Sequence, residues 1–270
     1  MTNAPSPLSQ PLGWDLVAPG YTDLSLPFFE AFAADALKLV ELQAHDHIAD
    51  VATGPGSLAL LAAKKVARVD ALDFSSEMLG CLAQRINVQG ACNIYPLEGD
   101  GQALPWQSQQ FDAAFSLFGL MFFPDRARGF SELYRVLKPG GRAVVSSWQL
   151  NAEQPIFTAV FNNLREALPD MPKGGSAPPL SESAVFTEEM QAAGFKVSLH
   201  GITHNVKEAD IATLWRGMLR SFAPLVLLKH KMGDAFAPVA KAVEARLMEQ
   251  FTGPVSIDMP AWLAVGKKPH

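Results

Sequence analysis

Two glycines with an acid just before them offer the clearest candidate chemistry in this chain. They lie in the stretch Ile48-Ala49-Asp50-Val51-Ala52-Thr53-Gly54-Pro55-Gly56-Ser57. The pattern predicts a buried strand, a tight glycine-rich loop and a helix from about Ser57 to Lys65. Glycine lets a ligand approach the backbone more closely than a Cβ allows, and a helix N-terminus offers free N–H groups to polar ligand atoms. The segment therefore predicts a nucleotide-type cofactor site, with an ordinary strand-to-helix turn as the alternative.

Further acids follow the next strands. Asp73 ends the short apolar run that begins at Val69, and Asp100 follows a strand near Asn93–Leu97. A carboxylate at the C-terminal end of a strand can accept hydrogen bonds from the two hydroxyls of a ribose, and open α/β sheets bind ligands at that edge. Gly54, Gly56 and Ala59 also satisfy the G-x-G-x-x-G/A dinucleotide pattern, which is a weak signal alone.

Alternating apolar runs and helical patterns continue along the chain. Strands are predicted at about 48–51, 69–73, 93–97, 111–118, 142–148, 195–205 and 255–265. Helices are predicted at about 57–65, 76–88, 126–137, 157–168, 187–193, 209–222 and 234–251. That order predicts a seven-stranded sheet that closes with an antiparallel hairpin, with helices inserted between the sixth and seventh strands. Residues 1–13, rich in Pro and Ser, are expected to be flexible.

An ordered set of motifs carries a family resemblance over residues 14–150. The motifs are DVATGPGSLAL, VDALDFSSEML, LEGDGQALPW, FDAAFSLFGLMFF and ELYRVLKPGGRAVVSSW. Together they resemble the class I S-adenosylmethionine (SAM)-dependent methyltransferases, in particular the type that includes the ubiquinone/menaquinone C-methyltransferases. The resemblance implies an α/β, Rossmann-like, mostly parallel sheet with an antiparallel last strand, helices on both faces and a helical cap over the C-terminal rim. It also implies one domain over residues 1–270, divided into an N-terminal lid and helix (1–44), a cofactor-binding core (45–150) and a substrate cap with the last strands (151–270).

The resemblance implies SAM as cofactor and S-adenosylhomocysteine as product. Asp73 would bind the ribose diol and Asp100 the adenine amine, while Asp50 would lie near the amino group or merely cap the loop. Ala52 departs from the glycine of many members. The full set of expected cofactor residues is Tyr21, Asp50, Ala52, Thr53, Gly54, Gly56, Asp73, Phe74, Ser75, Met78, Gly99, Asp100, Gly101, Gln102, Ser116, Leu117 and Phe118.

Apolar residues at the same rim predict a chamber for a small, lipophilic or aromatic methyl acceptor, with a dimer face or ordinary core as the alternative. They are Met121, Phe122, Trp148, Trp215, Met218 and Phe222. The acceptor atom, carbon, oxygen or nitrogen, stays open. His204 is a weak candidate for a general base, although a core or rim histidine is the simpler interpretation.

Composition narrows the alternatives. The chain has 270 residues, 49% of them hydrophobic, and a net charge of −5 without a basic cluster, which argues against nucleic acid as a partner. No apolar run approaches the roughly 18 residues of a membrane span, and no metal site is expected. Only Cys81 and Cys92 occur, which favours a reducing cytoplasm. The chain is expected to be a monomer or homodimer. An NAD(P)-dependent oxidoreductase and a non-catalytic SAM-binding protein remain as alternatives.

Overall fold

The computed structural model describes residues 6–150, 154–171 and 178–270. Its centre is a seven-stranded sheet in the order β3-β2-β1-β4-β5-β7-β6. The strands are β1 (His47–Val51), β2 (Arg68–Asp73), β3 (Ile94–Glu98), β4 (Phe111–Leu117), β5 (Leu137–Trp148), β6 (Lys196–Glu208) and β7 (Val255–Lys267). Strands β1 to β5 pair in parallel, and β7 runs antiparallel between β5 and β6. The predicted fold class and the antiparallel last strand are confirmed.

Ten α-helices are present in the described residues. They are α1 (Pro11–Gly20), α2 (Leu26–Lys38), α3 (Ala59–Ala62), α4 (Ser76–Gln89), α5 (Arg126–Val136), α6 (Pro155–Ala167), α7 (Ser183–Ala192), α8 (Ile211–Ser221), α9 (Ala223–Met232) and α10 (Phe236–Gln250). A π-helical turn, Tyr21–Ser25, joins α1 to α2. Helices α8, α9 and α10 form the predicted insertion between β6 and β7.

Both faces of the sheet are covered because its central strands are apolar on both sides. On one face, Ala49 and Val51 of β1 join a core with side chains of α5 and α7. On the other face, Ile48 joins a core with α2, α3 and α4. Strands β2 and β3 are added on one side of β1, and β4 and β5 on its other side, so the strand order switches between β1 and β4. These two strands pair in parallel, with Ala49 opposite Ala114. Open α/β sheets leave a crevice at such a switch point, beyond the C-terminal ends of the strands.

Several boundaries differ from the sequence-based expectations. The predicted flexibility of residues 1–13 is wrong over the described part, because α1 begins at Pro11 and a 3-10 turn precedes it at Pro7–Ser9. Proline is favourable in a first helical turn, so these prolines start helices instead of keeping the chain open. The helix after the glycine-rich loop is regular only over Ala59–Ala62. Helix α9 was not predicted. The sequence also indicates a Pro- and Gly-rich loop over residues 168–179, and its residues 172–177 lie outside the described residues.

Candidate cofactor and acceptor site

A cavity of about 1160 Å³ lies at the C-terminal ends of β1, β2 and β4. Single small-molecule pockets are about 300–1,000 Å³, so this cavity has room for two ligands side by side. Its wall has three parts: the loops that follow the strands, the N-terminal segment from Leu8 to Phe29, and the cap around α8.

The glycine-rich loop forms one wall. Ala52 and Gly54 have positive φ angles of 59° and 55°. A Cβ on Gly54 would meet no atom within 4 Å, so the backbone there faces open space in the cavity. Gly56 does not border the cavity, and a Cβ at this position would instead collide with Leu82 of α4. Gly54 therefore suits close approach of a ligand, whereas Gly56 lets α4 pack against the loop.

Asp73 lies beside that loop at the end of β2. Its carboxylate accepts hydrogen bonds from the N–H groups of Gly54 (2.7 Å) and Ser75 (2.9 Å). Burial outweighs these bonds and raises the pKa of Asp73 to about 6. The side chain borders the cavity, so its remaining lone pairs can accept hydrogen bonds from a ligand's hydroxyl groups.

Asp50 lies behind the loop instead of in the cavity wall. It is 2% exposed and accepts a hydrogen bond of 2.7 Å from the Thr53 hydroxyl. Burial, and next the nearby charge of Asp73, raise the pKa of Asp50 to about 7. These contacts support the loop-capping role that was the alternative for Asp50.

The loop after β3 forms the floor beside Asp73. The Asp100 carboxylate accepts hydrogen bonds from the Gln102 backbone N–H (2.8 Å) and side-chain amide (3.0 Å). A Cβ on Gly101 would collide with the ring of Phe123, so glycine is required where this loop meets the segment after β4. Both Asp100 and Gln102 border the cavity.

A partly buried ion pair, which was not predicted from the sequence, holds that loop in place. Glu132 on α5 accepts a hydrogen bond from the Leu104 N–H (2.8 Å) and pairs with Arg135 (2.7 Å). Arg135 donates to the carbonyls of Leu104 and Trp106. The only available signal was the i,i+3 spacing of opposite charges on a helix, which is common on solvated helix faces.

The N-terminal segment covers the part of the cavity next to Asp73 and the loop after β3. Asp15 of α1 accepts a hydrogen bond of 2.6 Å from the Ser75 hydroxyl, which ties α1 to the start of α4. The indole N–H of Trp14 donates to the Leu8 carbonyl (2.8 Å), and the ring packs against Phe122 at 5.3 Å between centroids. Residues Leu8 to Pro11, together with Trp14, border the cavity. This segment therefore covers the cavity next to Asp73.

Tyr21 borders the cavity where the two halves meet. Its ring stacks on Phe29 with the centroids 5.1 Å apart. Burial, and secondarily the charge of Asp73, raise the pKa of Tyr21 well above its usual value. The phenol therefore stays protonated and can donate a hydrogen bond into the cavity.

The turn after β4 lies between the part of the cavity next to Asp73 and a second part lined by aromatic side chains. The Ser116 hydroxyl accepts a hydrogen bond from the Leu120 N–H (3.2 Å), and the Ser146 hydroxyl accepts one from the Phe118 N–H (2.8 Å). These bonds hold Phe118 at a φ of 56°, with its ring stacked 4.2 Å from that of Trp148. Ser116 is fully buried outside the cavity wall, so its role is to shape the turn.

The second half of the cavity is aromatic and aliphatic. Its predicted residues Met121, Phe122, Trp148, Met218 and Phe222 all border the cavity. Sequence reasoning missed further members, chief among them Phe28, Phe29 and Phe157. The Phe28-Phe29 pair lies in an amphipathic helix, where such a pattern is typical of core and carries no site signal.

Two predicted residues lie outside the wall of this half. Trp215 is fully buried in the cap core, and its indole N–H donates to the Ala240 carbonyl (3.2 Å). His204 faces α2, where its Nε2 lies 2.9 Å from Asp35 and its ring packs edge-on against Phe32. The structure thus places neither side chain where it could touch an acceptor in the cavity.

The structure brings most of the predicted cofactor residues into one wall. These are Tyr21, Ala52, Thr53, Gly54, Asp73, Phe74, Met78, Gly99, Asp100, Gly101, Gln102, Leu117 and Phe118. Asp50, Gly56, Ser75 and Ser116 support that wall from behind. The titratable side chains bordering the cavity are Tyr21, Asp73, Asp100, Glu208, Arg216 and Arg220. Within the described ranges, no group of His, Cys, Asp and Glu is arranged to hold a metal ion.

Known proteins resemble this arrangement in sequence and in fold. Residues 48–141 match the family described as "Methyltransferase domain". A demethylmenaquinone methyltransferase from Lactiplantibacillus plantarum is 30% identical over 156 residues, which cover 55% of this chain and 65% of that protein. The chain therefore spans just under two thirds of the length of this relative.

Solved structures agree in fold at low identity. A putative methyltransferase from Bacillus halodurans superposes with a TM-score of 0.61 at 22% identity, covering 88% of this chain and 99% of that one. The [4+2]-cyclase SpnF superposes with a TM-score of 0.63 at 18% identity, covering 99% and 98%. These likenesses support the Rossmann-like fold.

In the part of the chain that the structure describes, no single helix has the length and apolar character that a membrane span requires. The segments Ile211–Ser221 and Ala223–Gln250 meet the requirement only when taken together, and they are bent by 73° relative to each other.

Proposed function

We propose that the chain, whose residues 48–141 match the methyltransferase-domain family, is a class I SAM-dependent methyltransferase that moves a methyl group from SAM to a small aromatic acceptor. The observation that carries the proposal is the division of one cavity into a polar half and an aromatic half. The polar half offers the Asp73 carboxylate and the open backbone at Gly54. The aromatic half adjoins it at Tyr21 and Phe118.

The polar half suits the adenosine of SAM. A ribose diol would bind the Asp73 carboxylate, which the Gly54 and Ser75 N–H groups already orient. The adenine would lie between Phe74 and Met78 on one side and the Gly99–Gln102 loop on the other, beneath the lid of Leu8 and Trp14. Anionic acceptors of hydrogen bonds are stronger than neutral ones, so Asp73 contributes most when ionised.

The bound cofactor supplies an electrophilic methyl group on a positively charged sulfur. The protein's own task is to align the acceptor with that group and to exclude water, which can lower the barrier by several kcal/mol. The lid residues Trp14 and Tyr21 and the aromatic residues Phe118 and Trp148 perform both tasks in this proposal. His204 takes no part in it, because its ring bonds to Asp35 outside the wall.

The acceptor that fits best is an electron-rich, apolar ring of the reduced-quinone class. Phe28, Phe29, Trp148, Phe157 and Phe222 provide aromatic edges and faces for such a ring. The name of the Lactiplantibacillus plantarum relative, demethylmenaquinone methyltransferase, supports the same class. Methylation at a ring carbon would be the corresponding reaction, in which the proton on that carbon would leave to solvent and S-adenosylhomocysteine would be the other product.

We extend the proposal to the division of labour along the chain. Residues 1–44 serve as lid, 45–150 bind the cofactor, and 151–270 form the acceptor cap and the last strands. Cys81 is half-buried and Cys92 exposed, both as free thiols, which suits a protein of the reducing cytoplasm. The expected state is a monomer or homodimer, and nucleic acid is not an expected partner.

Two alternatives make different predictions about ligands. An NAD(P)-dependent oxidoreductase would bind a nicotinamide cofactor in the polar half. A non-catalytic SAM-binding protein, or one with another reaction, would bind SAM without transferring its methyl group. The [4+2]-cyclase SpnF, whose fold is similar to that of this chain, is named for a reaction other than methyl transfer.

Isothermal titration with SAM, S-adenosylhomocysteine and NADH separates these possibilities. We expect micromolar binding of both adenosyl compounds and none of NADH. A second step follows transfer of labelled methyl from SAM to chemically reduced 1,4-naphthoquinone, with the oxidised quinone as control. Binding of NADH alone would overturn the assignment, while SAM binding without transfer to any reduced quinone would leave only the cofactor part standing.

A further inference from the structure

Arg85 on α4 joins two regions that are far apart in sequence. One guanidinium nitrogen, Nη1, donates a hydrogen bond of 2.6 Å to the Pro55 carbonyl. The other, Nη2, lies 2.6 Å from the Glu30 carboxylate. The Arg85 side chain is only 17% exposed, so both bonds are partly shielded from water. A planar guanidinium holds both partners in a fixed geometry, whereas a lysine ammonium is a single donor group on a flexible stem.

The two partners belong to the two halves of the cavity. Pro55 lies between Gly54 and Gly56 in the glycine-rich loop and itself borders the cavity. Glu30 follows Phe28 and Phe29 on α2, and both of these rings line the aromatic half. Among the hydrogen bonds of the described residues, Arg85 makes the one polar link between this loop and α2.

Helix α2 has a second polar anchor farther along. The Nε2 of His204 on β6 lies 2.9 Å from the carboxylate of Asp35. Asp35 follows Glu30 on α2, a little more than one helical turn farther along. That anchor fixes the C-terminal half of α2 to the sheet, with Phe32 packed between them. The turn that carries Phe28 and Phe29 packs on Phe118 and Trp148, and the Arg85–Glu30 pair adds a polar link from this turn to the Pro55 carbonyl.

We propose that Arg85 is a positioning residue that couples the glycine-rich loop to Phe28 and Phe29 in the aromatic half of the cavity. A cofactor held against the Gly54 backbone fixes the Pro55 carbonyl, the carbonyl fixes the guanidinium, and Glu30 then fixes Phe28 and Phe29. Cofactor binding therefore tightens acceptor binding. Linkage makes the effect reciprocal, so an acceptor must tighten cofactor binding by the same factor. The inference rests on the proposed function for its two ligands.

The test measures this factor directly. SAM is titrated into the protein with and without saturating oxidised 1,4-naphthoquinone, which resembles the acceptor ring but cannot be methylated. We expect the quinone to lower the SAM dissociation constant about 5-fold, at the lower end of typical coupling. The coupling ratio is the SAM dissociation constant without quinone divided by that with quinone. This ratio should fall to about 1 in Arg85→Gln and in Glu30→Gln, and Arg85→Lys should retain only part of the wild-type value.

A matched control exists elsewhere in the fold. Arg126 of α5 pairs with Glu189 of α7 at 2.6 Å with similar exposure, and neither residue borders the cavity. Arg126→Gln should lower thermal stability about as much as Arg85→Gln and leave the coupling ratio unchanged. An equal loss of coupling in Arg126→Gln, or an unchanged ratio in both Arg85→Gln and Glu30→Gln, would overturn the inference.

Hydrogen exchange distinguishes a failure of the inference from a failure of the proposed function. SAM alone should slow amide exchange over residues 26–33 of the wild-type protein, and this protection should vanish in Arg85→Gln but persist in Arg126→Gln. Wild-type protein that does not bind SAM would refute the proposed function itself. Wild-type protein that binds SAM without protecting α2, or that binds both ligands without coupling, would refute only the role of Arg85.

Discussion

The two halves of the cavity are built by different means. In the polar half, which is the proposed cofactor half, backbone N–H groups and carboxylates lie at the ends of β1, β2 and β3. Each is held by hydrogen bonds, such as that from the Gly54 N–H to Asp73 at 2.7 Å. In the acceptor half, side chains from α2, β5, α6, α8 and β7 converge, and their contacts are mainly between apolar surfaces. The first half is fixed by directional bonds and the second by packing.

This difference predicts different tolerance to substitution. A directional bond to an ionised group is lost entirely when one atom is removed, and the partner is left unsatisfied. An apolar wall loses only the contact area of the side chain removed. Substitutions in the cofactor half should therefore cause large and specific losses, and those in the acceptor half graded ones.

The largest expected effect is that of Asp73→Ala. Ribose hydroxyls lose a charged acceptor, and the N–H groups of Gly54 and Ser75 lose theirs, so SAM affinity should fall about 100-fold, equivalent to roughly 2.7 kcal/mol. Isothermal titration measures it. Asp70→Ala is the control, because Asp70 is equally buried on the same strand but pairs with Arg68 and His47 at the opposite end. An Asp73→Ala protein that bound SAM within 3-fold of wild type would refute the placement of the ribose.

Backbone space should matter next. A Cβ on Gly119 would collide with the Cβ of Ala52, which borders the cavity at a φ of 59°. Gly119→Ala must therefore displace the glycine-rich loop, at a cost of about 2 kcal/mol, and weaken SAM binding roughly 30-fold.

Gly80→Ala is the matched control for that substitution. A Cβ on Gly80 would meet no atom within 4 Å, and the residue lies inside α4. Alanine should stabilise this helix by about 0.5–1 kcal/mol without changing SAM affinity. If Gly119→Ala bound SAM as well as Gly80→Ala does, the contact between Ala52 and the turn after β4 would not shape the cofactor half.

The charges of the cofactor half should also make it sensitive to pH. Burial raises the pKa of Asp73 to about 6 and that of Asp50 to about 7, whereas SAM binding favours the ionised carboxylate. SAM should therefore bind about 10-fold more weakly at pH 5 than at pH 7 and release protons on binding. Without SAM the sign reverses: stability from the two protonated carboxyls is full below about pH 4 and is lost as the pH rises through 6 to 7. Titrations at several pH values check the first effect and thermal unfolding the second. Asp73→Asn should flatten the binding profile.

The two halves also differ in how far the sequence predicts them. Acids after apolar strands and glycines at fixed spacing predict that Asp73, Gly54 and Asp100 lie at one edge of the sheet, because strand ends in a parallel sheet meet there. The structure places all three along one cavity, and their binding of a cofactor stays a prediction. The same reasoning could not tell that Gly56 faces Leu82 and not the cavity, since spacing carries no information about orientation around a loop.

The acceptor half was predicted only in part. Phe222 and Trp215 share a stripe of the helix predicted over 209–222, but α8 ends at Ser221, so Phe222 borders the cavity while Trp215 is in the cap core. Phe28 and Phe29 lie about 120 residues before Trp148 in the sequence, and the packing of α2 on the sheet brings these rings together. Tertiary contacts of this kind leave no local pattern, which is why the fold was predictable from one sequence and this wall was not.

The smallest expected effect tests the division within that stripe. Phe222→Ala should raise the KM for the aromatic acceptor about 5-fold through lost apolar contact and leave SAM affinity unchanged. Trp215→Phe should leave both values unchanged and lower thermal stability instead, because Trp215 fills the core and loses its bond to the Ala240 carbonyl. Steady-state kinetics with reduced naphthoquinone, alongside thermal unfolding, separate the two. If Trp215→Phe raised KM and Phe222→Ala did not, the acceptor would lie on the far side of α8, and the aromatic half described here would be only part of the cap core.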